Sequence, residues 1–283
     1  MVWLDSSFFE ECQRWQLGQF FKIRGTYFEH ERYGPQIEAE QVRPVEERDR
    51  QDGFTEHDFI DHSRHDTDGM LADLRQLVAT EITEAPLVAL IDKIIGIYEA
   101  ELKRLPASSR HFYTFAGGWL EHTLNVTRNC AWLADRYARA FPEFTPPLNR
   151  DLIIAGAVLH DIGRVRGLDL PPGQPARMSV PGELFGHIVL AHDLIRSAAA
   201  DIRDLNPELL DLLLHIIATY PNSPEFGSQE VPCIPEALIL HYADELDARM
   251  EMYHRCLTRD TSDGPFTDRD PILNRPLLKK RSV

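Results

Sequence analysis

The chain has few cysteines, and none is spaced to share a metal or a disulfide. Its four cysteines, Cys12, Cys130, Cys233 and Cys256, show no C-x-x-C pair, which argues against a zinc knuckle and against a disulfide framework. No apolar run approaches the roughly 20 residues that cross a bilayer. The opening residues, MVWLDSSFFEE, also lack the basic start and apolar core of a secretory signal. We therefore predict a cytoplasmic protein without a membrane segment.

Basic residues are also scarce relative to acidic ones. The chain has 30 Lys and Arg against 45 Asp and Glu, a formal net charge of -15, and the acidic residues crowd between Glu38 and Asp73. This charge excludes broad electrostatic neutralisation of a nucleic acid, so any contact with nucleic acid must be local. With 283 residues and 43% hydrophobic content, the chain can bury one large core, with or without a small appendage.

Most of the chain has the pattern of successive helices, so the predicted fold class is mainly α. From Leu71 onward, apolar residues recur at intervals of three and four, as in ADLRQLVATEI and PLVALIDKIIGIYEAELKRL. Asn206 and Pro207 are a typical cap and first turn of a helix that Pro221 would end. We predict a helical domain over residues 71–260 and a tail over residues 261–283.

The first 70 residues differ from the rest. FFKIRGTYFEHERYGPQIEAEQV predicts two strands around a polar turn, after a short helical stretch, SSFFEECQRW. The segment from Arg43 to Asp68 is rich in charge and is predicted to be a linker or an extended arm. The aromatic residues of the strands are expected to pack in a core, with base stacking as the alternative: Phe20, Phe21, Tyr27 and Phe28.

Two metal-capable side chains end an apolar helix in the stretch AGAVLHDIGR, which contains His160 and Asp161. Two adjacent ligands cannot fill a coordination shell, so neighbouring helices must supply others. Further candidates interrupt apolar faces where burial without a partner would cost about 1–3 kcal/mol: His122, His187, His215 and Asp244. Imidazole and carboxylate ligands suit a divalent Mn, Fe, Co, Ni or Zn ion.

These motifs, in this order, resemble the HD-domain metal-dependent phosphohydrolases, and within them the YhaM-type 3′→5′ exoribonucleases. The motifs are GGWLEHTLNV, AGAVLHDIGR, FGHIVLAHDLI and ALILHYADELDARM. The closing DGPFTDRDPILNR is similar to the tail of that family, and the first 70 residues resemble a truncated OB-fold with a linker. The resemblance covers nearly the whole chain and implies an HD-type helical bundle over residues 71–260.

The resemblance also implies a site. The implied metal ligands are His122, His160, Asp161, His187, His215 and Asp244. Catalytic roles are implied for Asp161, His187, His215 and Arg164. Where the family has paired histidines, this chain has Tyr220 and Pro221, so we expect one bound ion. A second ion would retain only His187, His215 and a shared Asp161.

Several neighbours of these residues allow two interpretations. Arg164 and Arg166 could bind a substrate phosphate, although pairing with surface carboxylates is the simpler expectation. His241 and Asp247 share a helix face with Asp244 and could either support the ligands or face solvent.

The implied activity is a metal-dependent phosphodiesterase that hydrolyses single-stranded RNA from the 3′ end and releases nucleoside monophosphates. The alternatives are a phosphohydrolase of small nucleotides, and a catalytically weakened HD protein that acts as a regulatory or binding module. Residues 1–42 lack the opening strands of an OB-fold and would form an open remnant. Either the true start lies upstream or the protein works without a closed barrel, and an exposed edge would favour a homo-oligomer.

Overall fold

The computed structural model contains two compact units. The first unit comprises Met1–Asp61 with Leu170–Pro175, and the second comprises His62–Asp169 with Ala176–Val283. The structure describes residues 2–3, 8–16, 18–31, 33–171, 173–221 and 231–279. The first two residues of the stretch SSFFEECQRW and the last four residues of the predicted tail lie outside the described residues.

The second unit is built mainly from helices, which confirms the mainly α fold class. Its helices in chain order are α3 (Thr67–Glu81), α4 (Ala85–Leu102), α5 (Gly118–Ala140), α6 (Arg150–Leu159), α7 (Arg164–Gly167), α8 (Val180–Ala199), α9 (Pro207–Thr219) and α10 (Pro235–Arg259). Two short strands, β4 (Leu168–Asp169) and β5 (Arg177–Met178), pair antiparallel between α7 and α8. None of the described helices is long and apolar enough to cross a membrane.

Side-chain caps fix where several of these helices begin. The side chain of Asn206 accepts a hydrogen bond from the Glu208 N–H at the start of α9, and Pro207 occupies its first turn, which confirms the predicted start. Asn149 caps α6 in the same way through the Leu152 N–H. Satisfying these otherwise unpaired N–H groups stabilises each helix end by about 1 kcal/mol.

Helix α6 lies in the core of the second unit. It packs against α5, α9 and α10, as well as α3 and α4, and its residues from Asp151 to Leu159 are all buried. A Cβ at Gly156 would lie 2.9 Å from Ile216 Cγ2, so glycine allows α6 and α9 to approach closely. His160 and Asp161, which directly follow α6, are therefore buried as well.

The first unit contains a small sheet. Strand β3 (Gly34–Pro44) lies between β1 (Val2–Trp3), which is parallel to it, and β2 (Phe21–His30), which is antiparallel. A short helix, α1 (Phe9–Cys12), lies between β1 and β2 in sequence. A register shift follows Arg24, where a Cβ at Gly25 would lie 2.1 Å from the Glu38 carbonyl oxygen. Among the described residues the sheet is open, with β1 and β2 at its edges.

Two expectations for this region are corrected. The segment 43–68 is not simply an extended linker, because it contains helix α2 (Glu47–Gln51) and a 3-10 turn over Glu56–Phe59. The buried Asp49 carboxylate organises it by accepting hydrogen bonds from Arg43 and Lys22. Core packing is wrong for Tyr27 and Phe28, which are 64% and 37% exposed, because β2 is almost entirely solvent-accessible in this unit.

Candidate metal centre

Three predicted ligands from three helices converge in the second unit. His122 lies on α5, His160 directly follows α6, and Asp244 lies on α10. One ligand atom from each lies within 4.8 Å of the other two. His122 Nε2 is 3.0 Å from Asp244 Oδ1 and 3.3 Å from His160 Nε2. Two imidazoles and a carboxylate at this spacing fit a divalent transition metal.

Hydrogen bonds aim both imidazoles at this cluster. His160 Nδ1–H donates to the Ala157 carbonyl oxygen at 2.7 Å, which is one of the carbonyls left unpaired at the end of α6. In the neutral imidazole this leaves the Nε2 lone pair facing the cluster. His122 Nδ1–H donates to Asp247 Oδ2 at 2.8 Å. Outer partners of this kind orient metal-binding histidines, so Asp247 supports the site and is not simply a residue of a solvated helix face.

The two aspartates around His122 set its charge in the ion-free protein. Complete burial alone would lower the pKa of His122, but hydrogen bonds and charge from Asp244 and Asp247 raise it to about 9. His122 therefore carries protons on both ring nitrogens at neutral pH. A metal ion that binds Nε2 must displace one of those protons.

Asp161 lies beside the cluster and is held on both sides by protein groups. Arg164 Nε donates to Asp161 Oδ2 at 2.6 Å, and the Tyr220 hydroxyl donates to Oδ1 at 3.1 Å. Burial opposes ionisation of Asp161, yet Arg164 and His160 hold its pKa well below the usual range. Arg164 therefore pairs with this buried carboxylate and not with surface carboxylates. Arg166 does pair with an exposed carboxylate, that of Asp193.

His187 approaches Asp161 from α8. Gly186 has a φ of 71° inside α8, a backbone conformation that favours glycine, and His187 follows this kink. His187 Nε2 lies 3.1 Å from the Tyr220 hydroxyl and 3.3 Å from Asp161 Oδ1. Burial and the Arg164 charge lower the pKa of His187 to about 4, and burial raises the pKa of Tyr220 well above its usual value. Both groups are neutral at pH 7.

His215 makes a different contact. Its Nε2 accepts a hydrogen bond from the Cys233 N–H at 3.1 Å. Among the described residues, the cluster that could hold a metal ion comprises His122, His160 and Asp244, and His215 lies outside it together with Asp161 and His187. The ligand roles of these three residues stay predictions.

Three aromatic residues contact the site, although no role at the site was predicted for them from the sequence. Trp119 Nε1–H donates to the Asp161 carbonyl oxygen at 3.2 Å. The rings of Phe112 and Tyr113 lie 5.0 Å and 5.4 Å from the His122 ring. The aromatic stretch HFYTF just before GGWLEH was the available signal, but nothing in the sequence relates it to His122 or Asp161.

A cavity of about 440 Å³ opens over the centre. Asp244 lines it beside Arg164 and His187, and Tyr220 and Pro221 form part of the same wall. Asp244, one of the three candidate ligands, thus faces a space that is large enough for a nucleotide-sized group.

Comparison with known proteins shows which class of protein this chain belongs to. A family model described as "HD domain" matches residues 119–249, a range that contains all three clustered residues. The chain is an HD-domain protein.

Curated relatives narrow the family. The "3'-5' exoribonuclease YhaM" of Bacillus subtilis (strain 168) is 30% identical over 240 residues, covering 85% of this chain and 71% of the relative. The protein of the same name from Listeria innocua is 28% identical over 228 residues, covering 81% of this chain and 69% of the relative. The chain belongs to the YhaM family of 3′-5′ exoribonucleases. No solved structure matches it significantly.

Proposed function

We propose that this protein is a metal-dependent phosphodiesterase that degrades single-stranded RNA from its 3′ end to nucleoside monophosphates. The observation that carries the proposal is the cluster of His122, His160 and Asp244, whose carboxylate faces a nucleotide-sized cavity. The names of the curated relatives support RNA as the substrate and 3′ to 5′ as the direction.

The three clustered residues would hold a divalent Mn, Co, Fe, Ni or Zn ion. Such an ion supplies a Lewis acid that withdraws charge from a phosphoryl oxygen and lowers the pKa of water. The fit rests on the donor set and on its preorganisation, because Ala157 and Asp247 fix both imidazole rings before any ligand arrives.

Other residues would bind and orient the substrate. Arg164 lines the cavity, and its guanidinium could contact a phosphate through the donors that Asp161 does not use. Asp161 stays a proposed ligand, since each carboxylate oxygen can accept a second partner beyond Tyr220 or Arg164. His187 is proposed to bind the ion or the substrate, and His215 is proposed as a ligand that would have to exchange its contact with Cys233.

One observation favours a second candidate, a catalytically weakened HD protein with a regulatory or binding role. The Tyr220 hydroxyl forms hydrogen bonds with both Asp161 Oδ1 and His187 Nε2. A second ion would need these two atoms as ligands, so the hydrogen bonds compete with its binding. Hydrolysis of small nucleotides is a third candidate, because the cavity would accept a single nucleotide.

The test combines metal analysis of the purified protein with a panel of substrates. Degradation of 5′-labelled single-stranded RNA to a ladder of shortening products, with release of mononucleotides, would support the proposal. Hydrolysis of nucleotides alone would favour the third candidate, and bound metal without hydrolysis would favour the second. His160→Asn should lose metal and activity, whereas the matched variant His192→Asn, outside the cavity lining, should keep both. A cytoplasmic location stays a prediction.

A further inference from the structure

The segment after α10, residues 260–279, folds into an ordered turn. Bridges join Phe266 to Leu278 and Asp270 to Arg275. Asp260 anchors the base of the turn, because its carboxylate pairs with Lys279 Nζ at 2.6 Å and accepts the Asp268 N–H at 2.9 Å. The Lys279 ammonium lowers the pKa of Asp260 to about 2, so the anchor is charged at neutral pH.

Hydrogen bonds also hold the tip of the turn, residues 270–275, in place. Asp270 Oδ1 accepts the N–H groups of Ile272 and Leu273 at 2.8 Å and 2.7 Å. Asn274 has a φ of 57°, in the left-handed region that asparagine tolerates. These contacts hold an apolar side chain, Ile272, 37% exposed at the surface. Ordering a segment costs conformational entropy, and this tip does not contribute a buried core residue in return.

The tip lies at the catalytic cavity. Ile272, Leu273 and Arg275 line the same space as the metal ligand Asp244. Aromatic side chains in the same cavity lining, including those of Phe112 and Tyr253, offer surfaces for a base. Among the described residues no carboxylate pairs with Arg275, which leaves its charge available to a ligand.

The geometry points to a strand-binding role for this tip: Ile272 contacts a base, and Arg275 binds a backbone phosphate of the RNA near its 3′ end. The inference rests on the proposed function and names the residues that deliver its substrate. It also meets the constraint set by the net charge of -15, because a protein this acidic must bind RNA through a few local cations. Single strands are recognised by such a combination of stacking surfaces and phosphate contacts.

The test compares Arg275→Ala with Arg139→Ala, a matched loss of one exposed arginine at the end of α5, outside the cavity. Affinity for a short single-stranded RNA is measured with metal-free protein at several salt concentrations, and KM for RNA with metal-loaded protein. Arg275→Ala should weaken binding and raise KM roughly tenfold. It should also reduce the slope of log affinity against log salt by about 0.7, the value for one lost phosphate contact on a single strand.

Two further variants separate charge from shape. Arg275→Lys should retain the salt slope but recover only part of the affinity, because lysine keeps the charge without the forked geometry. Ile272→Ser should weaken RNA binding with an unchanged slope. Hydrolysis of bis(p-nitrophenyl) phosphate, which has no strand to hold, should be unchanged in Arg139→Ala, and Arg275→Ala and Ile272→Ser should lose less activity on this substrate than on RNA.

Three results would overturn the inference. If Arg275→Ala matches Arg139→Ala in affinity and slope while the unaltered protein degrades RNA, only this inference falls. If Arg275→Ala loses as much activity on the generic phosphodiester as on RNA, the residue supports the metal centre and not the strand. If the unaltered protein neither binds nor degrades RNA, the proposed function falls as well.

Discussion

At the scale of single residues, the buried ion pair of Asp161 and Arg164 is expected to contribute both to the stability of the fold and to the activity of the candidate metal centre. Removing the carboxylate leaves the Arg164 guanidinium, whose side chain is only 16% exposed, without its partner. Asp161→Ala is therefore expected to lower the free energy of unfolding by about 3 kcal/mol and to abolish hydrolysis. The helical content should stay nearly unchanged, because such a loss is smaller than the stability of most domains. Urea unfolding, circular dichroism and the RNA assay measure these effects.

The control is a double variant, Asp161→Ala with Arg164→Met, which removes both charges of this ion pair. It should recover part of the lost stability and none of the activity. The depressed pKa of Asp161 also means that its contribution to stability is present above its unfolded pKa near 4 and lost as pH falls further. A double variant no more stable than Asp161→Ala would contradict this pairing.

Tyr220 and Pro221 are expected to limit the protein to one tightly held ion. A phenol whose pKa is raised by burial is a poor ligand, and proline has no side-chain donor. Replacing both with histidine should raise the metal content from one ion to two per chain and increase the rate of RNA hydrolysis. Tyr253→His, a change elsewhere in the cavity lining, should leave the metal content at one. Two ions in the unaltered protein would show that other ligands complete a second site.

The sequence indicated the candidate residues more reliably than their partners. His122, His160 and Asp244 were nominated because metal-capable groups interrupt apolar helix faces, and the structure brings them together. The pairing of Arg164 with Asp161, and of Tyr220 with both Asp161 and His187, depends on how α6, α8 and α9 pack. Spacing along one helix holds no information about those distances.

At the scale of elements, Gly163 sets how closely the turn after α6 approaches α8. Its φ of -62° is ordinary, so the requirement is for space. A Cβ there would lie 1.9 Å from the His187 carbonyl oxygen and 2.5 Å from the Ala191 nitrogen. Gly163→Ala should lower the free energy of unfolding by about 3 kcal/mol and reduce activity, because His187 must move.

Gly96→Ala is the matched control for this prediction, since Gly96 lies inside α4 with no heavy atom within 4 Å of an added Cβ. It should be neutral or stabilise the protein by up to about 1 kcal/mol through helix propensity. Thermal or urea unfolding of the two variants gives the comparison. Equal effects at both glycines would contradict a packing role for Gly163.

Helices and strands were predicted from the sequence where a local signal, either an apolar period or a cap, is strong. Helix α9 begins at Pro207 as its cap predicted, because capping is a local interaction. The short helix α2 was missed, since it follows from the buried Asp49 binding Arg43 and Lys22 and not from any apolar pattern. The exposure of Tyr27 and Phe28 could not be predicted either, because β propensity does not reveal whether a strand face is covered.

At the scale of the whole molecule, we expect association through the exposed edge of β2. In the described part of the chain β2 is an edge strand of the sheet, with exposed Ile23, Tyr27 and Phe28, a surface that favours pairing with another chain. Sedimentation velocity should show a mass above that of one chain, and Tyr27→Lys should lower it. Trp132→Lys, an equally exposed aromatic position on α5, is the control. A monomeric mass at every concentration would contradict this prediction.

Metal uptake by the whole protein should depend on pH in a way that His122 sets. Because Asp244 and Asp247 raise its pKa from 6.5 to about 9, an ion that binds Nε2 competes with a proton across this range. The apparent metal affinity should therefore rise by roughly tenfold per pH unit between these values and then level off. Calorimetry in buffers of different ionisation enthalpy should detect about one proton released per ion at neutral pH.

The stability of the ion-free protein should fall as pH rises, whereas the metal affinity rises. A histidine whose pKa is raised on folding contributes stability that is fully present below its unfolded pKa of 6.5 and is lost as pH rises through about 9. The difference in Tm between metal-loaded and ion-free protein should thus widen as pH rises. Asp247→Asn removes one of the two carboxylates that hold the proton on His122. It should therefore move to lower pH both the rise in metal affinity and the loss of stability of the ion-free protein. An apparent metal affinity that stays flat from pH 6.5 to 9 would mean that His122 is not a ligand or is not protonated in the ion-free protein.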